Sequence, residues 1–349
     1  MRNEMLYEML RTGSVSGDEI RIQKLVRKWM AGIGDKVISD NTGNLTHIIN
    51  PEAKFKVQLI GHIDEIGLCI THITDSGMLK VTRAGGIRNS MYLGHKVRIY
   101  NEKGIVYGSV LSNSSLLKNN DLQDSDLTID IGATNKEEAL AAVSLGDSVT
   151  IDEDYRLLLN DRITARALDD RTGAFIVLEA LRRAKELGCK VGVYATTSVG
   201  EETTGRGAYW SSSRINPDLS IAVDVTYATD YEGTNPATSG DVRIGGGPVL
   251  CNSSLSSRLV NKSLRKIAKD HDINVQTEAF VGRTGTDADT IHQSNLGVTT
   301  ALVSLPLRYM HSHSEVGSLK DLEDCIELLA HYVCSLDEEA SFDPYRDEE

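Results

Sequence analysis

Several apolar runs in this chain end on ionisable residues of the types that hold metals and move protons. His62-Ile63-Asp64 follows Val57-Gln58-Leu59-Ile60-Gly61, and Glu201-Glu202 follows the run from Val193 to Gly200. Asp224 follows Leu219-Ser220-Ile221-Ala222-Val223, His311 follows Ala301 to Met310, and Asp169-Asp170-Arg171 directly precedes a helical pattern. Imidazoles and carboxylates are hard-to-borderline ligands, suited to Zn²⁺, Co²⁺ or Mn²⁺ rather than to a thiolate or iron–sulfur site. Two histidines and three carboxylates meet the needs of two divalent cations if one carboxylate bridges them. Cations paired about 3.5–4 Å apart are a hydrolytic device, polarising a carbonyl or acidifying a shared water while a nearby carboxylate takes the proton.

Local spacing narrows the roles. His62 and Asp64 are two apart, so in a strand they share a face, and Asp64 can accept a hydrogen bond from the ring nitrogen that His62 does not give to a metal. Glu201 and Glu202 are neighbours whose side chains diverge, so one can bind metal while the other faces the water as general base. Taken alone, such a pair is a solvated loop. The same adjacency argues against a glycosidase, whose carboxyls flank the bond about 5–9.5 Å apart. Asp169, Asp170 or Thr172 could instead cap the following helix. Asp224 ends a strand too apolar to bury it unpaired. His311 and His313 share a face if extended, and spacing does not choose between them; Glu315 either supports a ligand or lies on the surface.

The elements that must position these groups follow from hydrophobic patterning. Residues 1–30 read as one or two amphipathic helices, with Ser14 or Ser16 as the cap for the segment 18–30. Residues 56–63 form a short apolar run of the kind buried in a parallel sheet. From 70 to 160, short β-rich pieces separated by Gly, Asn and Asp turns predict a small β-barrel or sandwich, with 113–126 a polar loop. Beyond 160, Ala174, Val177, Leu178, Leu181 and Ala184 share a helical face ending at Gly188. Strand-like runs then alternate with helices to the last helix near 319–336. Repeated βα units predict an α/β fold, a mainly parallel sheet flanked by helices. The expected plan is one discontinuous catalytic domain, 1–69 and 161–349, interrupted by an inserted β domain at 70–160. Only the tail, 337–349, looks low in structure.

Composition excludes several classes. Over 349 residues, 40% are hydrophobic and 25% charged, ordinary for a soluble globular chain. Fifty Asp and Glu against 37 Lys and Arg leave a net charge of −13, which repels phosphate backbones and anionic lipid and argues against nucleic acid or membrane partners. The charged amino terminus lacks a signal-peptide core, and no apolar run reaches the roughly 18–20 residues of a membrane span. Five cysteines, odd in number and without CxxC spacing, suit reduced thiols in a cytoplasmic protein.

Taken together, GHIDEIGL, ALDDRTG, GEETTGRGA, AVDVT and PLRYMHSHSE resemble, in order and spacing, the tetrahedral or deblocking aminopeptidases. These are dinuclear metallo-aminopeptidases, some formerly labelled endoglucanases. The resemblance covers nearly the whole chain and implies two divalent metal ions per subunit, zinc ahead of cobalt or manganese. It implies metal ligands at His62, Asp169 (bridging), Glu202, Asp224 and His311, with Glu201 as general base and Asp64 orienting His62. It prefers Asp169 to Asp170 and His311 to His313, and implies a cis peptide between Asp169 and Asp170. Gly200 stands where the family often has Gln, and Thr203-Thr204-Gly205 departs from its usual Val-Gly-Leu, which bears on the shape of the substrate pocket. Gly245-Gly246-Gly247-Pro248 resembles a substrate-side loop but equally reads as a tight turn. Gly285-Thr286-Asp287-Ala288 matches a segment near the site, without an assigned role. The implied activity is removal of N-terminal residues from short peptides. Alternatives are a related deacylase or carboxypeptidase-like amidohydrolase, or a catalytically silent scaffold. The family's dimers form through the inserted domain and often build twelve-subunit hollow tetrahedra, so a homo-oligomer is expected. Two divalent cations would offset four charges and bring the net charge from −13 to about −9.

Overall fold

Apolar runs that end in charge become central strands here because helices cover both of their faces. The computed structural model describes residues 2–345. Helices Arg2–Arg11 (α1) and Ile20–Trp29 (α2) lead into strands Lys36–Ser39 (β1), Leu45–Ile49 (β2) and Lys56–His62 (β3). Next come Gly67–Ile73 (β4), Leu79–Ala84 (β5), Lys96–Asn101 (β6), Gly104–Val110 (β7), helix Ser114–Lys118 (α3), Thr128–Asp130 (β8), helix Lys136–Ala142 (α4) and Ser148–Ile151 (β9). Strands Arg156–Leu158 (β10) and Arg162–Ala165 (β11) precede helix Leu168–Glu186 (α5), strand Gly192–Ser198 (β12), helix Arg206–Ile215 (α6) and strand Leu219–Tyr227 (β13). Val249–Asn252 (β14), Arg258–Asp270 (α7), Gln276–Ala279 (β15), Ala288–Ile291 (α8), Thr299–Leu307 (β16), Glu315–Ser318 (β17) and Leu319–Cys334 (α9) complete the order.

The main sheet runs β1-β2-β12-β3-β13-β16-β14-β15. Its four central strands, β12, β3, β13 and β16, are mutually parallel, whereas β2 and β14 join them antiparallel. Successive side chains of β3 serve opposite layers, as the strand's period of two requires. Val57 and Leu59 pack in the core that includes Phe175, Leu178 and Leu181 of α5 and Leu328 of α9, and Ile60 packs with Ala208 and Ile291 of α6 and α8. Fully burying a side chain such as Phe175 or Leu178 contributes about 1.5–3 kcal/mol. α5 approaches β3 so closely that a Cβ on Gly61 would lie 2.6 Å from the backbone of Gly173, so only glycine fits there.

The β-rich segment closes into a six-stranded barrel, β4-β5-β8-β7-β6-β9, with its own core around Leu68, Val81, Ile99, Ile129 and Val149. It runs from Gly67 to Ile151; β10 pairs instead with β11, which pairs in turn with β17, so residues 156–158 form the edge of a separate three-stranded sheet. Asn113 caps α3, accepting from the N–H groups of Ser115 and Leu116, so the stretch read as a loop contains a helical turn. No helix among the described residues is long and apolar enough to cross a membrane, and all five cysteines are free. Within the tail, Phe342 packs on Phe55 with ring centroids 6.2 Å apart; residues 346–349 lie outside the described residues.

The serines read as caps do other work. α2 begins after Glu19 without a side-chain cap, and Ser16 bonds Thr203. Ser14 is buried, donating to the carbonyl of Ile63 and accepting from the Arg171 guanidinium at 2.8 Å. It belongs to a charge network centred on Glu65, whose carboxylate pairs with Arg166 and, at 2.7 Å, with Arg171. These guanidinium groups also donate to the carbonyls of Leu10 and Thr12, tying the end of α1 to the end of β3. Glu65→Ala would leave two buried cations without a counter-charge, a change costing about 3–5 kcal/mol. The urea midpoint of unfolding should fall accordingly; a loss below about 1 kcal/mol would contradict this reading of the network.

Candidate active site

The crevice of an open α/β sheet lies at the carboxyl ends of its parallel strands, and each central strand here delivers a piece of one site. β3 ends at His62, β13 carries Asp224 near its end, and β16 runs out into the loop bearing His311. β12 is followed by a turn at Gly200, whose φ of +71° favours glycine, and this turn presents Glu201 and Glu202. The first turn of α5 supplies Asp169, in non-helical conformation and joined to Asp170 by a cis peptide.

Asp169 lies at the centre. Its Oδ1 is 3.1 Å from His62 Nε2, and its Oδ2 is 3.1 Å from His311 Nε2. On the His62 side stand Glu201 Oε2 at 3.8 Å and Asp224 Oδ1 at 4.0 Å from the same nitrogen. On the other, Glu202 Oε1 is 3.8 Å from His311 Nε2. Ligand atoms of His62, Asp169 and Glu202 lie within 4.8 Å of one another, as do those of His62, Asp170 and Asp224. These two sets share His62, and the Asp169 carboxylate, facing both His62 and His311, links the two sides of the cluster.

Neighbouring groups fix each orientation. His62 Nδ1–H donates to the backbone carbonyl of Asp64 at 3.2 Å, since a carbonyl can only accept. The Asp64 carboxylate, 3.5 Å from the same nitrogen, accepts instead the N–H groups of Glu201 and Glu202 at 3.1 and 3.2 Å. Asp64 thus holds the ring mainly through its main chain and the glutamate turn through its side chain. His311 Nδ1–H donates to the carbonyl of Gly86 at 2.9 Å, so the barrel reaches the site directly, a contact for which the insertion carried no sequence signal. Both histidines turn Nε2 toward Asp169.

Asp170 is buried and accepts from the N–H groups of His62 and Gly173 at 3.1 and 2.9 Å, taking up the capping role left open between it, Asp169 and Thr172. The Thr172 hydroxyl donates back to Leu168. Glu315 is buried rather than superficial, accepting from the N–H of Asp169 at 3.1 Å and of His311 at 2.9 Å. His313 lies away from the cluster, packed against Tyr92 and His95, and burial pulls its pKa down to about 4.

The cavity in front of the cluster holds about 300 Å³, and neither Lys nor Arg is among its described lining residues. Burial, reinforced by the charge on Asp169, pushes both Glu202 and Asp224 up to about 8. Glu201 is raised well above the carboxylate range, first by burial. The hydrogen bond to Asp169 lifts His311 to about 10. Burial opposes a proton on His62, but Asp169 and Asp64 outweigh it and raise that ring too. Glu202 Oε1 is buried with no hydrogen-bond partner. A desolvated carboxylate is costly without a positive partner, so this site demands protons or cations, and its donors are those of a divalent metal centre.

Val225, Tyr227, Phe280, Leu302 and Met310 give the cavity an apolar wall, and Thr284, Gly285 and Thr286 complete its rim. Gly200 and Thr203-Thr204-Gly205 are not among its described lining residues; Gly200 bears on it through the turn that presents Glu201 and Glu202. Gly245 and Gly247 donate their N–H groups to Asp321 at 2.6 and 2.8 Å; that segment is an anchored turn outside the cavity. Asp287 sits behind the rim, accepting from the Ser198 hydroxyl.

The profile of the M42 glutamyl aminopeptidases matches residues 43–328. A lysyl aminopeptidase of Pyrococcus furiosus is 30% identical over 335 residues, covering 93% of this chain and 94% of the relative. Among solved structures, a TET aminopeptidase from the marine sediment archaeon Thaumarchaeota archaeon SCGC AB-539-E09 superposes with a TM-score of 0.90 at 29% identity, covering 97% of each chain. The Pyrococcus horikoshii TET1 peptidase, which can assemble into a tetrahedron or a large octahedral shell, superposes with a TM-score of 0.86 at 30% identity, over 96% of this chain and 100% of the other. The match takes in sheet, barrel and site alike: the chain belongs to the M42 glutamyl aminopeptidase family and is a peptide hydrolase.

Proposed function

We propose that this aminopeptidase works with two divalent cations, one held by His62, Asp169 and Asp224 and the other by His311, Glu202 and Asp169, with Glu201 as general base. The observation that carries the reading is the Asp169 carboxylate, one oxygen 3.1 Å from each of two Nε2 atoms. When bound, the cations, zinc ahead of cobalt or manganese, would polarise the scissile carbonyl and bring the acidity of a water near neutrality. Glu201 takes the proton from the attacking water and passes it to the leaving amine. Its raised proton affinity suits a group that must both accept and release. Asp64 keeps His62 and the glutamate pair in register, and Glu315 holds the backbones of Asp169 and His311.

The substrates are short peptides with a free amine, which a carboxylate-rich crevice with neither Lys nor Arg among its described lining residues favours. A carboxypeptidase needs a positive group for the terminal carboxylate, and neither Lys nor Arg is among the described lining residues. Every ligand and base position is filled by a competent side chain, which speaks against a silent scaffold. On a panel of free-amine, N-acetylated and C-terminal substrates, the reconstituted enzyme should turn over the free-amine set. Preference for N-acetylated substrates would transfer the assignment to a deacylase. Glu201→Gln should lower kcat by about 10²–10⁴-fold with metal content and KM little changed; undiminished turnover with cations bound would sink the base assignment.

The chain also assembles, in this reading, through dimers into a closed particle of twelve subunits. Leu157, Leu158 and Leu159 are exposed at 58%, 44% and 85% on and beside the edge strand β10, where unpaired backbone and apolar side chains invite a partner. Light scattering should give a dodecamer, or the dimer that builds it; a stable monomer would contradict it.

A further inference from the structure

The cavity in front of the cluster contains a carboxylate that peptide hydrolysis does not use. Glu278 of β15 lines the same cavity as His62, Asp169, Glu201 and Asp224 and is 1% exposed. Its Oε2 accepts from the Thr226 hydroxyl, and its Oε1 from the Ser304 hydroxyl at 3.4 Å. Among the described residues, no Lys, Arg or His is recorded in a hydrogen bond or ion pair with it. A carboxylate has about four acceptor positions, so two neutral donors, one of them distant, leave it short of partners. Burial raises its pKa, to about 6, and it still ionises at neutral pH. A desolvated carboxylate of this kind is stabilised by a cation that arrives with its own hydrogen bonds.

Its position says where that cation would come from. Asp224 and Thr226 are two apart on β13, on one face and about 6.5 Å from each other, and Ser304 is the register partner of Asp224 on β16. Glu278 is thus reached from the cluster by one short step along the sheet face. Phe280, Leu302 and Met310 supply apolar lining to the same cavity. A peptide whose amine and first carbonyl lie at the cluster must place its first side chain in this cavity. An apolar stem with a positive tip matches both the wall and the end.

We infer that Glu278 selects a cationic first residue, lysine or arginine, taking its charged head on the carboxylate and its methylenes against Phe280, Leu302 and Met310. The inference rests on the aminopeptidase reading and adds the substrate class. An acidic first residue would set a second carboxylate against a buried one, and like charges so placed repel.

Reconstituted enzyme should be assayed at neutral pH on lysyl, norleucyl and glutamyl p-nitroanilides; norleucine keeps the length of lysine and lacks the charge. The lysyl substrate should exceed the norleucyl in kcat/KM by about 10- to 100-fold, the worth of a buried hydrogen bond to a charged group, with the glutamyl lowest. Glu278→Gln should bring the lysyl value down to the norleucyl one, leaving the latter within about threefold. Equal lysyl and norleucyl values in the wild type, or a preference for glutamyl, would overturn the inference while leaving the aminopeptidase reading intact. So would a variant that loses both activities alike, since Glu278 would then only support the fold. If the variant does not fold, the wild-type ratio decides. Turnover of none of the three would overturn the aminopeptidase reading itself, and the inference with it.

Discussion

Mutual repulsion among carboxylates packed into one buried crevice is the constraint around which this molecule is built. Asp64, Asp169, Asp170, Glu202, Asp224, Asp287 and Glu315 are all buried or nearly so, with Glu201 beside them. The protein relieves part of this repulsion with its own main chain. Asp64, Asp170 and Glu315 each accept two backbone N–H groups, so their charge is spent on holding loops and strand ends in place. Asp224 receives only the N–H of its neighbour Val225, and no backbone donor among the described residues reaches the carboxylates of Asp169, Glu201 or Glu202. Those four face the cavity, and the charge they carry there is what cations would answer.

The fold makes such an arrangement affordable. Four parallel strands bring their ends to one edge, and side chains separated by much of the sequence converge without any segment having to unfold to reach the others. Extended chain geometry separates duties at adjacent positions: Asp64 turns to the cluster, and Glu65 turns to Arg166 and Arg171. The two charge networks therefore lie back to back at the end of β3. One is neutralised by the protein's own guanidinium groups and fastens the amino-terminal helix; the other is left negative.

Much of this was legible in the residues. The central strands announced themselves as unbroken apolar runs, because strands buried on both faces have no reason to alternate. The ionisable residue at the end of each run was legible for the same reason, as a charge that an apolar strand could not otherwise bury. Contacts that depend on distant segments were not. His311 meets Gly86 across 225 positions and Glu315 meets Asp169 across 146, and nothing local distinguishes a glycine carbonyl or a glutamate destined for such a contact. Ser14 has the spacing from α2 that suits a cap, but a buried arginine claims its hydroxyl. Glu278, in a short strand with ordinary neighbours, gives no local sign that it faces a cavity; only the packing of β13 and β16 reveals it.

The central claim is that cations, not protons, complete the buried cluster of the working enzyme. In the metal-free fold Glu202 and Asp224 keep their protons up to about pH 8, whereas in an unfolded chain they release them near pH 4. Raised acids of this kind stabilise the fold fully only below the unfolded value, and that contribution is lost as pH climbs through the folded one. Cations bound at the same oxygens would take over as the protons leave. Scanning calorimetry of chelator-treated and zinc-reconstituted protein from about pH 5 to 9 tests this directly. The account predicts a Tm gap in favour of the reconstituted protein that widens steadily with pH; coincident melting, or a gap indifferent to pH, would contradict it.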